Sequence, residues 1–387
     1  MLKNKKIVDF AKVLCLLTLI VLVGIHLKGI LFHNDLFDEE DFPSISAEKI
    51  FDTAAEKEVT APKDVVTDED ENYDVDLVYL WCDGNDPKFR EKKNYWLEQE
   101  GKSKPLNRQA TADGRFEQVD ELKYSLRSAE LYLPWVRHIY IVTYEQVPPW
   151  LNTQHPKITV VDHSEIIPEK YLPVFSSNAI ETSIQNIPGL VEHFLLANDD
   201  TFINRPLTKG FFFYQGEPIV RMKFGELIQG TQYRTQLVNT IALSEKYFGK
   251  DIPFFSRRQL VPHHNIDAYL KSDYAACANQ FEKEYRETLT HRFRTETDVQ
   301  RLLVSIWSVM HKHAWIKVLD NININKENPM VDSLFTTNTA RNYGGKIAFL
   351  KPGLFCINDG ELSTPDDRIR LKEYLELRFP DKSQFEL

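Results

Sequence analysis

The chain has 387 residues, enough for one large domain or two ordinary ones with a sizeable core. Its 42% hydrophobic and 12% aromatic content excludes wholesale disorder. A formal net charge of -10 excludes a general nucleic-acid binder, which needs a basic face.

At the N-terminus, Lys3, Lys5 and Lys6 precede the unbroken apolar run Val13 to Ile25, extended by Leu27 to Phe32 with Lys28 inside. No small-x-small cleavage site follows, so the segment is expected to be an uncleaved anchor over residues 7–32. Such a helix spans a bilayer core of roughly 30 Å. The lysines lie before the span and acids after it, which places residues 1–6 in the cytosol and the rest on the non-cytosolic side of a single-pass type II membrane protein. That side is a Golgi-type lumen or, for a bacterial protein, the outside of its membrane. From His33 to Val75 there are 15 Asp or Glu against 3 Lys, which reads as a solvated stalk over residues 33–73.

A folded body is expected over residues 74–387. Val75 to Trp81 reads as a strand ending in the turn-rich run Asp83-Gly84-Asn85-Asp86-Pro87. Leu122, Leu126 and Ala129 recur at helix spacing, "VRHIYIVT" and "KITVVDHSEII" read as strands, "SSNAIETSIQNI" as a helix and "HFLLANDD" as a fourth strand. Strands alternating with helices predict an α/β fold with a mostly parallel sheet. "RTQLVNTIALSEKYF", "NIDAYLKSDYAACANQFEKEY" and "DVQRLLVSIWSVMHKHAW" predict a helical insertion over about residues 225–320, and "RIRLKEYLELRF" an amphipathic tail helix. Cys15, Cys82, Cys277 and Cys356 are too scattered for a zinc spacing and are expected as free buried thiols.

Ligands in such sheets bind beyond the carboxyl ends of the strands, where Asp83 to Asp86 and Asn198-Asp199-Asp200 fall. Leu195, Leu196, Phe202 and Ile203 flank the acidic pair, so full solvation is not expected and a cation is. Oxygen-only ligands favour Mg²⁺ or Mn²⁺, ions that bridge phosphate oxygens. His263 and His264 offer an imidazole for proton transfer. Arg292 and Arg294 lie two apart, which suits one on phosphate and one outside. "INDG" again drops Asn358-Asp359 after an apolar run. Neither a GxGxxG nor a Walker A loop is present.

In order, these segments resemble the Stealth family of sugar-phosphate transferases. The first family block matches "DVDLVYLWCDGNDP". The second matches "RFEQVDELKYSLRSAELYLPWVRHIYIVT", "QVPPWL" and "LPVFSSNAIETSIQNIPGLVEHFLLANDD". "PHHNID" with "RFRTETDVQ" and "FCINDG" with "FPDKSQFE" resemble the third and fourth. The resemblance implies transfer of a sugar 1-phosphate from a nucleotide-sugar donor to a hydroxyl of a glycan or polysaccharide acceptor, with loss of nucleoside monophosphate. It implies Asp199, Asp200 and His264 in the chemistry, the family pattern favouring His264 over His263. Arg294, Asp83, Asp86, Asn198 and Asn358 are then expected on the donor, and Asp199, Asp200 and Asp359 on the metal. Tyr144-Glu145-Gln146 replaces the family's Asn-Gly-Gln. A metal-dependent glycosyltransferase releasing nucleoside diphosphate, and an inactive glycan-binding protein, are the alternatives.

Overall fold

The computed structural model describes residues 72–102, 106–112, 115–224, 231–249, 252, 260–319, 330–335, 352–359 and 363–387. The chain divides into two compact units, residues 1–60 and 61–387, and all the described residues belong to the second. The expected tail, anchor and nearly all of the stalk lie outside the described residues, as does Cys15. Among the described residues no helix is long and apolar enough to cross a membrane.

The principal strands are β1 (Val75–Leu80), β2 (His138–Thr143), β3 (Ile158–Asp162), β4 (His193–Asn198), β5 (Thr201–Ile203), β6 (Glu217–Phe224), β7 (Leu260–Pro262), β8 (Asp267–Leu270), β9 (Trp315–Leu319), β10 (Met330–Phe335) and β11 (Leu354–Asn358). The main sheet runs β3-β2-β1-β4-β8; β8 alone is antiparallel. Every residue of β1 is buried, which explains its continuous apolar sequence: a parallel sheet is covered on both faces. Leu77 and Tyr79 pack with Leu122, Leu126 and Ala129 of helix Glu121–Tyr132 on one face. Val78, Val142 and Leu196 pack on the other against residues of helices Lys271–Gln280, Glu282–Leu289 and Leu302–Met310. The exception inside β1 is Asp76, wholly buried but gripped by both arms of the Arg137 fork at 2.9 and 2.7 Å and by the Val191 amide at 3.0 Å. Among the described residues, two smaller sheets accompany the main one. In one, β6 pairs with β9 and β7; in the other, β11 lies between β10 and β5. Cys356 of β11 pairs with Thr201 of β5.

The mostly parallel α/β architecture expected from the sequence is present. The long helix expected from "SSNAIETSIQNI" is instead a short helix, Ser177–Glu181, and a single 3₁₀ turn, Ile184–Asn186. Thr182 turns its hydroxyl back onto the Ala179 carbonyl at 2.7 Å, a local bond that competes with helix continuation. The segment around residues 225–320 holds helix Gln232–Phe248 and the three helices already named, but also β8, a member of the main sheet. "DAYL" reads as helix or strand in isolation; here Ala268 faces one core and Tyr269 the other, the alternation of a strand. The tail helix forms as Pro365–Arg378, with a Thr364/Asp367 capping box and proline in its first turn. It sets Leu371, Leu375 and Phe379 against Phe202 of β5 and Phe355 of β11.

Candidate active site

The chain leaves β4 at Asn198, turns through Asp199-Asp200 and re-enters as β5. The turn is pinned from both sides. The Asp200 carbonyl accepts the Ile357 amide of β11 at 3.0 Å, and the Thr201 hydroxyl closes back on the Asn198 carbonyl at 2.6 Å. The Asp199 carboxylate accepts from Gln118 Nε2 at 2.6 Å, and Asp200 Oδ2 accepts from the Asn358 amide. That same amide nitrogen is 3.3 Å from His264 Nε2. Asp200 Oδ1 is buried with no hydrogen-bond partner among the described residues.

A third carboxyl joins the pair. Glu121 is buried at the start of its helix, its oxygen taking the Val119 amide at 2.7 Å. Burial, then the charge of Asp199, pushes its carboxyl up to about 8. Burial and then Asp200 push Asp199 upward; burial also raises Asp200, against the pull of the Cys356 thiol and the Asn358 amide. Three acids that resist ionising together mark a place for protons or a cation. A carboxylate oxygen of Asp200, a ring nitrogen of His264 and the sulfur of Cys356 lie within 4.8 Å of one another. With one oxygen of Asp200 orphaned and an imidazole and a thiol close to its carboxylate, this set fits a divalent ion, and its mixed donors suit a borderline ion better than Mg²⁺. Asp359 is not part of that group; it accepts from Arg368 Nε at 2.6 Å.

Beyond β4 opens a cavity whose lining includes Asn198, Glu181, His264, Asp267, Arg294 and Arg301. Arg294 donates to the Ser177 hydroxyl at the start of the short helix. Arg292 points elsewhere, over the Trp96 ring at 3.8 Å and 3.7 Å from Glu100, so one arginine of the spaced pair enters the cavity and the other does not. Burial, then the charges of Arg301, Lys223 and Arg294, hold His264 down to about 3; His263 is also held to about 3, by burial and then Lys223 and Arg221.

The loop after β1 is a separate cluster. Asp83 Oδ1 takes the Asn85 amide at 2.8 Å, and Asp86 caps helix Pro87–Gly101 through the Lys88 amide at 2.9 Å. Gln146, after β2, bonds Asp83 at both its amide and carbonyl and reaches Asp86 Oδ2 at 3.1 Å, so it ties the two loops together. Gly84 must be glycine here, because a Cβ would run into the Phe116 backbone. A second cavity of about 390 Å³ lies on this side, bordered by Asp86, Trp96, Tyr144 and Gln146. Of the residues expected in the site, Asn198, Asp199, Asp200, His264, Arg294 and Asn358 come together around the end of β4, while Asp83 and Asp86 organise the loop after β1. Sequence reasoning did not single out Gln118, Glu121, Glu181, Asp267, Arg301 or Cys356. All of them stand within or directly after the quoted family blocks, Asp267 closing "PHHNID", and that proximity was the available signal.

Residues 73–101 match conserved region 1 of the Stealth proteins, and residues 115–220 match conserved region 2. The exopolysaccharide phosphotransferase cps2G of Lactiplantibacillus plantarum is 31% identical over 345 residues, 81% of this chain and 96% of its own. The capsular polysaccharide phosphotransferase LcbA of Aeromonas hydrophila is 31% identical over 322 residues, 80% of this chain and 85% of its own. Among solved structures, the galactosyltransferase LgtC with donor and acceptor sugar analogs resembles 80% of this chain and 96% of its own at 9% identity and a TM-score of 0.38, a loose likeness on which nothing further rests. By its two matched regions and its near full-length relatives, the chain belongs to the Stealth family.

Proposed function

We propose that this chain is a sugar-1-phosphate transferase. It moves a hexose or N-acetylhexosamine 1-phosphate from a nucleotide diphosphate sugar to a hydroxyl of an acceptor glycan. The observation that carries the reading is the junction at the end of β4: an arginine-lined cavity opens directly beside carboxyls that cannot all ionise unaided. Phosphoryl transfer asks for this combination of charge neutralisation and positioning more than for covalent chemistry.

In the reaction, the acceptor oxygen forms a bond to the phosphorus nearer the sugar. The bond from that phosphorus to the bridging oxygen breaks, and nucleoside monophosphate leaves with the oxygen. Arg294 grips a phosphate through its fork, and Asn198 and Asn358 orient neighbouring oxygens. His264 or a site carboxylate accepts the acceptor's proton. Asp200, with Asp199 beside it, would hold Mg²⁺ or Mn²⁺, which would supply neutralisation of the charge on the diphosphate. Asp83 and Asp86 support the donor by shaping the loop after β1. The body stands on an acidic stalk and an N-terminal membrane anchor, outside the cytosol.

A donor screen tests the reading: the chain is incubated with nucleotide sugars and an acceptor glycan, with Mn²⁺, Mg²⁺ or EDTA, and the released nucleotide is separated by chromatography. Nucleoside monophosphate is expected, only with metal. Nucleoside diphosphate would make the protein a glycosyltransferase, and no turnover with any donor would leave a glycan-binding protein.

A further inference from the structure

Arg301 stands in the cavity without a part in the steps above. It immediately precedes helix Leu302–Met310, and its side chain is 12% exposed. Nη2 lies 3.1 Å from Asp267 Oδ2. Nη1 lies 3.6 Å from Glu181 Oε1, too far for a hydrogen bond, and has no hydrogen-bond partner among the described residues. A guanidinium present only as a counter-ion would close its fork on the carboxylates. This one is steadied at one end and leaves its other end unspent in a buried space.

The surrounding charge points the same way. Arg221, Arg294 and Arg301 line the cavity against two carboxylates, Glu181 and Asp267, and burial pushes both of those carboxyls up, Asp267 to about 6. Four cations, Arg301, Lys223, Arg294 and Arg115, act on His264. An enclosed space with surplus positive charge suits a multivalent anion.

We propose that Arg301 is a second phosphate-binding guanidinium, clamping the donor's diphosphate together with Arg294. The identity of that anion rests on the sugar-phosphate transfer proposed above. As the bridging bond breaks, negative charge grows on the departing nucleoside monophosphate. A guanidinium already oriented by Asp267 meets that charge without reorganising. Arg301 follows directly on the run "RFRTETDVQ" that holds Arg294, so one short segment supplies both arms of the clamp.

The test is calorimetric titration of the full chain with inorganic pyrophosphate in metal-free buffer. Arg301→Lys keeps the charge and loses the fork, so it is expected to weaken pyrophosphate binding at least tenfold and to raise the donor KM. The wild type should bind pyrophosphate more tightly than inorganic phosphate. If Arg301→Lys does not fold, the pair Arg301→Gln with Asp267→Asn removes the cation together with one of its counter-charges, and the same loss is expected. A wild type that ignores pyrophosphate, or variants that bind it within twofold of wild type, overturns the clamp. Pyrophosphate binding that depends on Arg301, in a protein that releases no nucleoside monophosphate from any donor, keeps the clamp and sinks the transfer reaction instead.

Discussion

Asp199 and Asp200 are costly residues for the fold by itself. Their carboxyls are raised by burial, so the folded state disfavours the charges that a metal would require. Asp200→Asn is therefore expected to abolish turnover, with Asp199→Asn close behind. Unfolding in EDTA at pH 7.5 should show Asp200→Asn as stable as wild type or more so. Full activity in the variant, or a clear loss of stability in EDTA, would assign the pair a structural role. Arg294→Lys, which keeps charge without the fork, should cut donor use about tenfold or more at unchanged thermal midpoint; unaltered donor kinetics would remove the arginine from the phosphate. A pH dependence follows from His163, buried after β3 with its ring stacked on Tyr144 at 5.6 Å and its Nδ1 unbonded among the described residues. Burial lowers its folded value to about 4, below the ordinary 6.5. Its contribution to stability is thus intact above pH 6.5 and lost as pH falls from 6.5 towards 4, by about 2.5 kcal/mol near pH 4.5. His163→Phe keeps the stack and should flatten that part of the urea-midpoint profile between pH 7 and pH 4.5; parallel profiles would clear the histidine. At this scale the strand end pointed to Asn198, Asp199 and Asp200, while the histidine pair and the spaced arginine pair only offered candidates, from which the family resemblance picked His264 and Arg294. Glu121, Arg301 and Asp267 had no such setting. Their meaning comes from which charges the fold brings near them, and residue spacing does not record that.

The elements around the site were legible where the period was long or the flanks were strong. β1, β2, β3, β4 and helix Glu121–Tyr132 lie where the apolar pattern predicts them. The short pieces misled, because four residues such as Asp267–Leu270 carry no periodicity that separates strand from helix. The pairing of β11 with β5 was not readable at all, since it joins segments distant in the chain and follows from tertiary packing. That pairing matters, because it carries Asn358 and Cys356 to Asp200. Its support is the tail helix: Phe379 stacks over Phe202, which stacks over Phe355 with ring centroids 5.0 Å apart. Phe379 is fully buried, so Phe379→Ala should cost roughly 3–5 kcal/mol in urea unfolding. If β11 depends on this stack, turnover should fall even at temperatures where the variant remains folded. A loss below 1 kcal/mol would show that the tail helix does not brace the site.

At the scale of the whole molecule, the charge pattern divides the chain. Lys3, Lys5 and Lys6 come before the apolar run, and the acids of residues 33–75 come after it. The anchor reading makes two demands. A full chain should stay with the membrane after a high-salt wash, because salt screens surface charge but leaves apolar burial in place. The unit over residues 61–387 has its own core, so a chain begun at Asn72 should fold alone and turn over donor in solution. Orientation is separable from both. With the lysines held in the cytosol, protease added to sealed vesicles should leave the body intact until detergent opens them. Digestion of the body in sealed vesicles would reverse the orientation while sparing the anchor. Release of the full chain by salt alone would remove the anchor and leave the acidic stalk as a surface tail.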